Sequence, residues 1–309
     1  MSPSSPDWSV NLLQVDEAAD SATRRTCRFK RLAPRAPQRD PWSPQPTRLF
    51  EPRSVVLRQS IRMAGKTTFR IGCAGWSLPR SAIPLFPEVG SHLERYAAVF
   101  NAVEINSSFY RSHRHHTYAR WASAVPPDFR FSVKLPKEIT HTLRLRACAR
   151  PLKNFLGEIA GLGSKLGCIL IQTPPSFAFS RLVVRPFLSL LRRRYDGPAA
   201  IEPRHLTWFE PNAEATLEEF HVSRVASDPA LCVAAARPGA SGPLAYFRLH
   251  GSPRMYYSNY DESDLRGVAA ELEGWRRSSR QAWCIFDNTA HGFAIPNALL
   301  VSRQMRSEC

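Results

Sequence analysis

Four short runs in this chain set an ionisable group two residues from a second polar one: Glu104 and Asn106 in AVEINSSFY, Ser132 and Lys134 in RFSVKLP, Glu202 and Arg204 in AAIEPRH, and Arg248 and His250 in LAYFRLHG. In an extended strand that spacing puts both members on one face, and leaves Val103, Ile105, Val133, Ile201, Phe247 and Leu249 on the other. Carboxylates, an imidazole and an amine are the groups that move protons, and guanidinium groups hold anions. Glu104 or Glu202 suits a general base. His250 or Lys134 suits an acid or electrophile, and a desolvated Lys134 could form a Schiff base. Arg204 or Arg248 suits a bidentate grip on a carboxylate or phosphate.

Such groups need elements that hold them together. The four runs belong to a series of eight β-branched or aromatic segments ending in polar residues, at 69–77, 102–110, 130–136, 167–175, 199–205, 223–229, 244–251 and 283–289. Between several of them lie stretches with apolar residues at helical spacing, such as SHLERYAAVF, HTYARWASAV, LKNFLGEIAGLGSKL and VRPFLSLLRRR. Eight strands alternating with helices, without a GxGxxG turn, predict an α/β fold of the (β/α)8 TIM-barrel type. The segment ALCVAAARPGASGP, between the sixth and seventh strands, is too short and too rich in Gly and Pro for a full helix. One crossover helix is therefore expected to be missing there.

In such a barrel alternate residues point inward and strand ends line the mouth. That parity makes the polar face the inner one. It assigns Glu104, Lys134, Glu202 and His250 to catalysis, and Trp76, Asn106, Tyr110, His141, Gln172, Arg204, Asp228, Arg248 and Asn288 to ligand contact. Two readings compete. The charges could form an ion-pair network that only plugs the mouth, or a site for a small polar ligand; the second is favoured, because burying charge costs several kcal/mol unless it is paired. Glu104, Glu202, Asp228 and His250 could gather a divalent metal, but Lys134, Arg204 and Arg248 would repel it, so no cofactor is expected. The SHRHH run at 112–116 reads as a solvated loop, and Trp76, Phe109, Tyr110 and Trp208 as either pocket wall or core.

Composition narrows the class. The 309 residues carry a formal net charge of +16, yet the basic residues are scattered, so a small anionic or sugar-like ligand is favoured over nucleic acid as partner. Residues 1–62 form a Pro-, Ser- and Arg-rich extension without helical or strand period, expected to be disordered; Met63 resembles an alternative start, and 63–309 reads as one barrel domain. Seven separated cysteines without a CxxC pair suggest a reducing compartment. No secretory signal or membrane-length apolar run is apparent, so the cytoplasm is the expected location.

From about residue 69 to 302 the chain resembles the domain of unknown function 72 family, also called YecE-like. The motifs that carry the resemblance are IGCAGWS, FNAVEINSSFYR, FRFSVKLPKEITH, ILIQTPPSF, IEPRHLTWF, YFRLHG and FDNTAHGFAIPNA, in that order. The resemblance implies a TIM barrel and supplies no established reaction. Taken with the residues, the expected function is that of an enzyme using acid/base chemistry on a small anionic or polyhydroxylated metabolite, as an isomerase, lyase or hydrolase. The alternative is a non-catalytic nucleic-acid-associated or ligand-sensing protein.

Overall fold

A computed structural model of the chain describes residues 69–239, 242, 244–277 and 281–307. The expected disorder of residues 1–62 lies outside these. The strands are β1 (Phe69–Cys73), β2 (Ala102–Ile105), β3 (Arg130–Lys134), β4 (Leu166–Gln172), β5 (Ala199–Glu202), β6 (Val222–Arg224), β7 (Ala226–Asp228), β8 (Leu244–Leu249) and β9 (Gln281–Phe286). Their ladders are parallel, in two sheets of order β1-β9-β8-β7 and β2-β3-β4-β5-β6. Two junctions join the sheets. Ala74, just past β1, bridges Glu104 of β2, and β6 runs into β7 through Val225, whose amide donates to the Ile201 carbonyl. The strand order is that of a (β/α)8 barrel in which β6 and β7 are one interrupted strand.

The helices are α1 (His92–Ala97), α2 (His115–Ser123), α3 (Ala149–Ile159), α4 (Arg181–Arg192), α5 (Pro211–Glu219), α6 (Glu262–Arg277) and α7 (Ala294–Ser307). Local chemistry starts them: Ser91 and Glu94 make a capping box on α1, and Pro211 opens α5 where no amide bond is lost. In α4, Val183, Val184, Phe187, Leu188 and Leu191 recur at helical spacing and are all buried. Between β7 and β8 the described residues form only a 3-10 turn, Val233–Ala236, so the crossover helix is absent where the Gly/Pro-rich segment implied.

Strand parity divides the core in two. The outward residues Val103, Ile105, Val133, Ile201, Phe247 and Leu249 join the helices in one apolar cluster. A second cluster fills the interior with Ala102, Cys168, Leu170, Ala200, Val225, Tyr246, Trp283 and Ile285. Two residues further along the strands or just past them, the same inward positions become Glu104, Gln172, Glu202, Arg248 and Asp287. An apolar layer thus floors a charged one at the C-terminal end, where (β/α)8 barrels keep their sites.

Candidate functional site

Arg248 is the hub of the charged layer and is fully buried. Its Nε donates to Glu104 Oε2 at 3.0 Å, Nη1 to Glu202 Oε2 at 2.5 Å, and Nη2 to both Glu104 Oε1 at 2.7 Å and Asp287 Oδ2 at 2.9 Å. Four of the five N–H bonds of a guanidinium are thereby committed to carboxylates. Burial alone would lower its pKa, but Glu104, Glu202 and Asp287 outweigh that and hold it well above the ordinary value. A group so enclosed has a single N–H uncommitted and no exposed surface on which to grip a ligand bidentately. The anion grip expected of Arg248 is corrected on that ground, since its charge is spent on the protein's own carboxylates.

The partners are themselves satisfied. Tyr246 Oη lies 3.0 Å from Glu104 Oε2 and 2.8 Å from Ser132 Oγ, across the interior. Glu202 accepts from Gln172 Nε2 at 3.1 Å and pairs with Arg204 Nη2 at 2.7 Å. Burial pushes the Glu202 carboxyl up, yet Arg204, Arg248 and His250 together hold it well below the usual range. Asp287 is lowered in the same way, with burial opposed by Arg248 and His250.

His250 spans two carboxylates, with Nδ1 at 3.1 Å from Asp287 Oδ2 and Nε2 at 2.9 Å from Glu202 Oε1. Its Nε2 is also 3.0 Å from Arg204 Nη2. When protonated, Nε2 donates to Glu202; when unprotonated, it accepts from Arg204. That nitrogen therefore has a neighbour in place for either hydrogen-bonding role.

Lys134 lies within the field of this network without an ion pair in it. It is 5% exposed, its Nζ lies 4.2 Å from the centre of the Phe109 ring, and no ion pair joins it to a carboxylate among the described residues. Burial first, and Arg248 second, lower its pKa to about 8, against the opposing pull of Glu104, Asp287 and Glu202. Around it the mouth is incompletely paired: Asn106 Oδ1 and Arg204 Nε are buried without a hydrogen-bond partner. Phe109 is edged by His141 at 4.9 Å and by Tyr110 at 4.9 Å. His141 sits in a π-helical turn, Glu138–Thr142, which leads to left-handed backbone at Arg144, Leu145 and Ala147. Such turns and strained segments cluster at functional sites. Trp76 is half-buried and packs on Trp121 at 5.0 Å. His113, from the run expected to be solvated, is half-buried instead; its Nε2 is 2.8 Å from Ser107 Oγ, and it packs on Trp121 and Tyr118.

One expected contact, Asp228, lies elsewhere. Asp228 shares a face with Ala226 and pairs in register with outward Leu249, and its Oδ2 accepts from Tyr260 Oη at 2.6 Å. It lines a cavity of about 330 Å³ on the helix side of β7 and β8, with Phe247, Val268 and Glu271, where the crossover helix is missing. Asn288 donates to the Ser258 carbonyl and to Asn297 Oδ1, tying loops together, while its own Oδ1 is buried without a hydrogen-bond partner. Conversely, Asp287 and Tyr246 are members that strand parity could have found, and Tyr256, in the loop after β8, is one that it could not. Tyr246 and Asp287 share the inward face with Arg248, and Tyr256 packs edge-on against His250 at 5.7 Å. Among the described residues no group of three or more His, Cys, Asp or Glu is arranged to hold a metal ion, because the carboxylates converge on a guanidinium.

A family model described as protein of unknown function DUF72 matches residues 70–309. The chain belongs to that family. Among relatives of this DUF72 chain, the UPF0759 protein YecE of Escherichia coli strain K12 is 32% identical over 52% of the chain and 61% of its own length. The chain thus spans about six tenths of that relative. The UPF0759 protein YunF of Bacillus subtilis is 23% identical over 74% of the chain and 91% of its own length. A DUF72 family protein of Thermotoga maritima superposes with a TM-score of 0.66 at 26% identity, covering 77% of this chain and 99% of the other. One from Enterococcus faecalis gives 0.64 at 22% identity, over 77% and 95%. The two structural likenesses agree on the fold over about three quarters of the chain, 77% in each case. No helix among the described residues is long and apolar enough to cross a membrane.

Proposed function

We propose that this chain is an enzyme that binds a small anionic or polyhydroxylated metabolite at the C-terminal mouth and works on it by acid/base chemistry. The observation that carries the reading is the contrast between two tiers. Arg248, Glu104, Glu202 and Asp287 are paired throughout; Lys134, within electrostatic reach of all four, has no ion pair at Nζ among the described residues, and Asn106 Oδ1 and Arg204 Nε are buried without partners. A structural plug gains nothing from unpaired polar groups, each of which costs about 1–3 kcal/mol when buried. A binding site supplies their partners with its ligand.

Within this reading Arg204, whose side chain keeps 13% of its surface, meets the anion. Lys134 contacts the reacting group, and His250, with a neighbour for either hydrogen-bonding role of Nε2, relays the proton. Arg248 positions Glu202 and Asp287. Screening small carboxylates, phosphates and sugar acids by thermal shift tests this, because a ligand that binds only the native state raises the melting temperature. At least one anion class should stabilise the protein, and Arg204→Met should abolish the shift without unfolding it. An equal shift in the variant would overturn the assignment.

A further inference from the structure

We propose that Lys134 forms an imine, so that the ligand of this mouth carries an aldehyde or ketone carbonyl beside its anionic group. The inference deepens the preceding reading and rests on it. The chain has six lysines against 36 arginines, so where a bare positive charge is needed it overwhelmingly uses arginine. At the end of β3 it places a lysine, the side chain that can do what a guanidinium cannot: lose a proton and attack carbon. The position fits that task. Lys134 is inward-facing, has no carboxylate ion pair among the described residues and lies on the apolar face of Phe109.

The neighbours fit as well. Arg248, the second cause of the lowered pKa, is held in place by four bonds to carboxylates, so a fixed cation disfavours the ammonium form from a defined position. With a pKa of about 8, roughly a tenth of the amine is unprotonated at pH 7, against well under a thousandth for an ordinary lysine. Arg204 can hold an anionic end while the carbonyl meets Nζ. In the step itself the Nζ lone pair attacks the carbonyl carbon, and the π electrons move to oxygen to give a carbinolamine. Nitrogen then expels that oxygen, and the two N–H protons leave with it as water, so amine plus carbonyl gives imine plus water with no oxidant or further reactant.

The test is reductive trapping on the full chain. Pyruvate, a keto acid, and glycolaldehyde, an uncharged aldehyde, are each supplied with cyanoborohydride, and modified lysines are located by peptide mass mapping. Lys134 should be alkylated at least about tenfold faster than exposed Lys137 and Lys153 at pH 7, a rate advantage that follows from the larger unprotonated fraction. The adduct should be absent in Lys134→Met, and its rate should level off above about pH 8 while the exposed lysines keep accelerating. Labelling of Lys134 no faster than that of Lys137 with both probes overturns the imine. If pyruvate then still raises the melting temperature through Arg204, the anion site survives alone; if Lys134 is trapped selectively but Arg204→Met changes neither rate nor shift, the imine stands and the anion assignment falls.

Discussion

Replacing Lys134 with Met should make the protein more stable at neutral pH, because the wild type holds an ammonium where it is poorly solvated. In the unfolded chain that amine keeps its proton up to about pH 10.5, whereas in the native state it loses it near pH 8. The difference corresponds to roughly 3 kcal/mol against folding while both states are protonated. The cation's contact with Phe109 is already part of that balance, and the Met thioether replaces it with a favourable contact of its own. The net gain expected at pH 7 is therefore about 2–3 kcal/mol. Its pH dependence is the sharper signature. Between pH 8 and 10.5 the unfolded wild type binds a proton that the native form lacks, so wild-type stability rises with pH and the variant's advantage shrinks, vanishing near pH 10.5. Urea titrations of both proteins at pH 7, 8, 9 and 10 read this directly. A variant less stable than wild type at pH 7, or one whose advantage is unchanged at pH 10, would refute the claim that Lys134 is a strained, unpaired cation.

The paired tier should respond in the opposite sense. Arg248→Met strands three carboxylates and should cost at least about 3–5 kcal/mol, with part recovered by adding Glu104→Gln; denaturant titration of the single and double variants checks this. Glu202→Gln replaces one acceptor in a four-contact carboxylate with a donor, and a loss of about 3 kcal/mol at pH 7 by urea titration is expected; little or no loss would remove Glu202 from the scaffold. Because the Glu202 and Asp287 carboxyls are both held low, the stability they supply is complete above the ordinary carboxylate range and is lost as pH falls through their depressed values. Melting temperatures from pH 6 to 2 should thus fall less steeply in Glu202→Gln than in wild type. Tyr246→Phe removes the donor shared by Glu104 and Ser132 and should cost about 1–2 kcal/mol by thermal unfolding.

Period-two parity was enough to separate inner from outer faces, since the outward Val103, Ile105, Val133, Ile201, Phe247 and Leu249 are all in the helix-facing core. It also brought Glu104, Lys134, Glu202, Arg248 and His250 to one end. Partnership was not legible. Whether Arg248 faces a ligand or three carboxylates depends on residues up to 144 positions away, and no local pattern encodes that choice. Asp228 misled because β6 and β7 are so short that parity had few residues to anchor on, and it falls on the outward register with Leu249. Asn288 lies past β9, where alternation no longer applies, while its neighbour Asp287 keeps the inward position. The two-tier division, in which one part is scaffold and another is left open, required distances; opposing plug to site had treated the cluster as one object.

The ion pairs of Arg248 also set an order of events for the growing chain. The sheet holding β2 to β6 contributes Glu104 and Glu202, and the sheet holding β7 to β9 and β1 contributes Arg248, with His250 and Asp287 just beyond its strands. During synthesis the five strands of the former sheet emerge with Glu104 lacking its guanidinium and Glu202 paired with Arg204 alone, because Arg248 has not yet been translated. Withdrawing Glu104 from water is unfavourable without residue 248. Joining the two sheets therefore brings both carboxylates and their shared guanidinium out of water together.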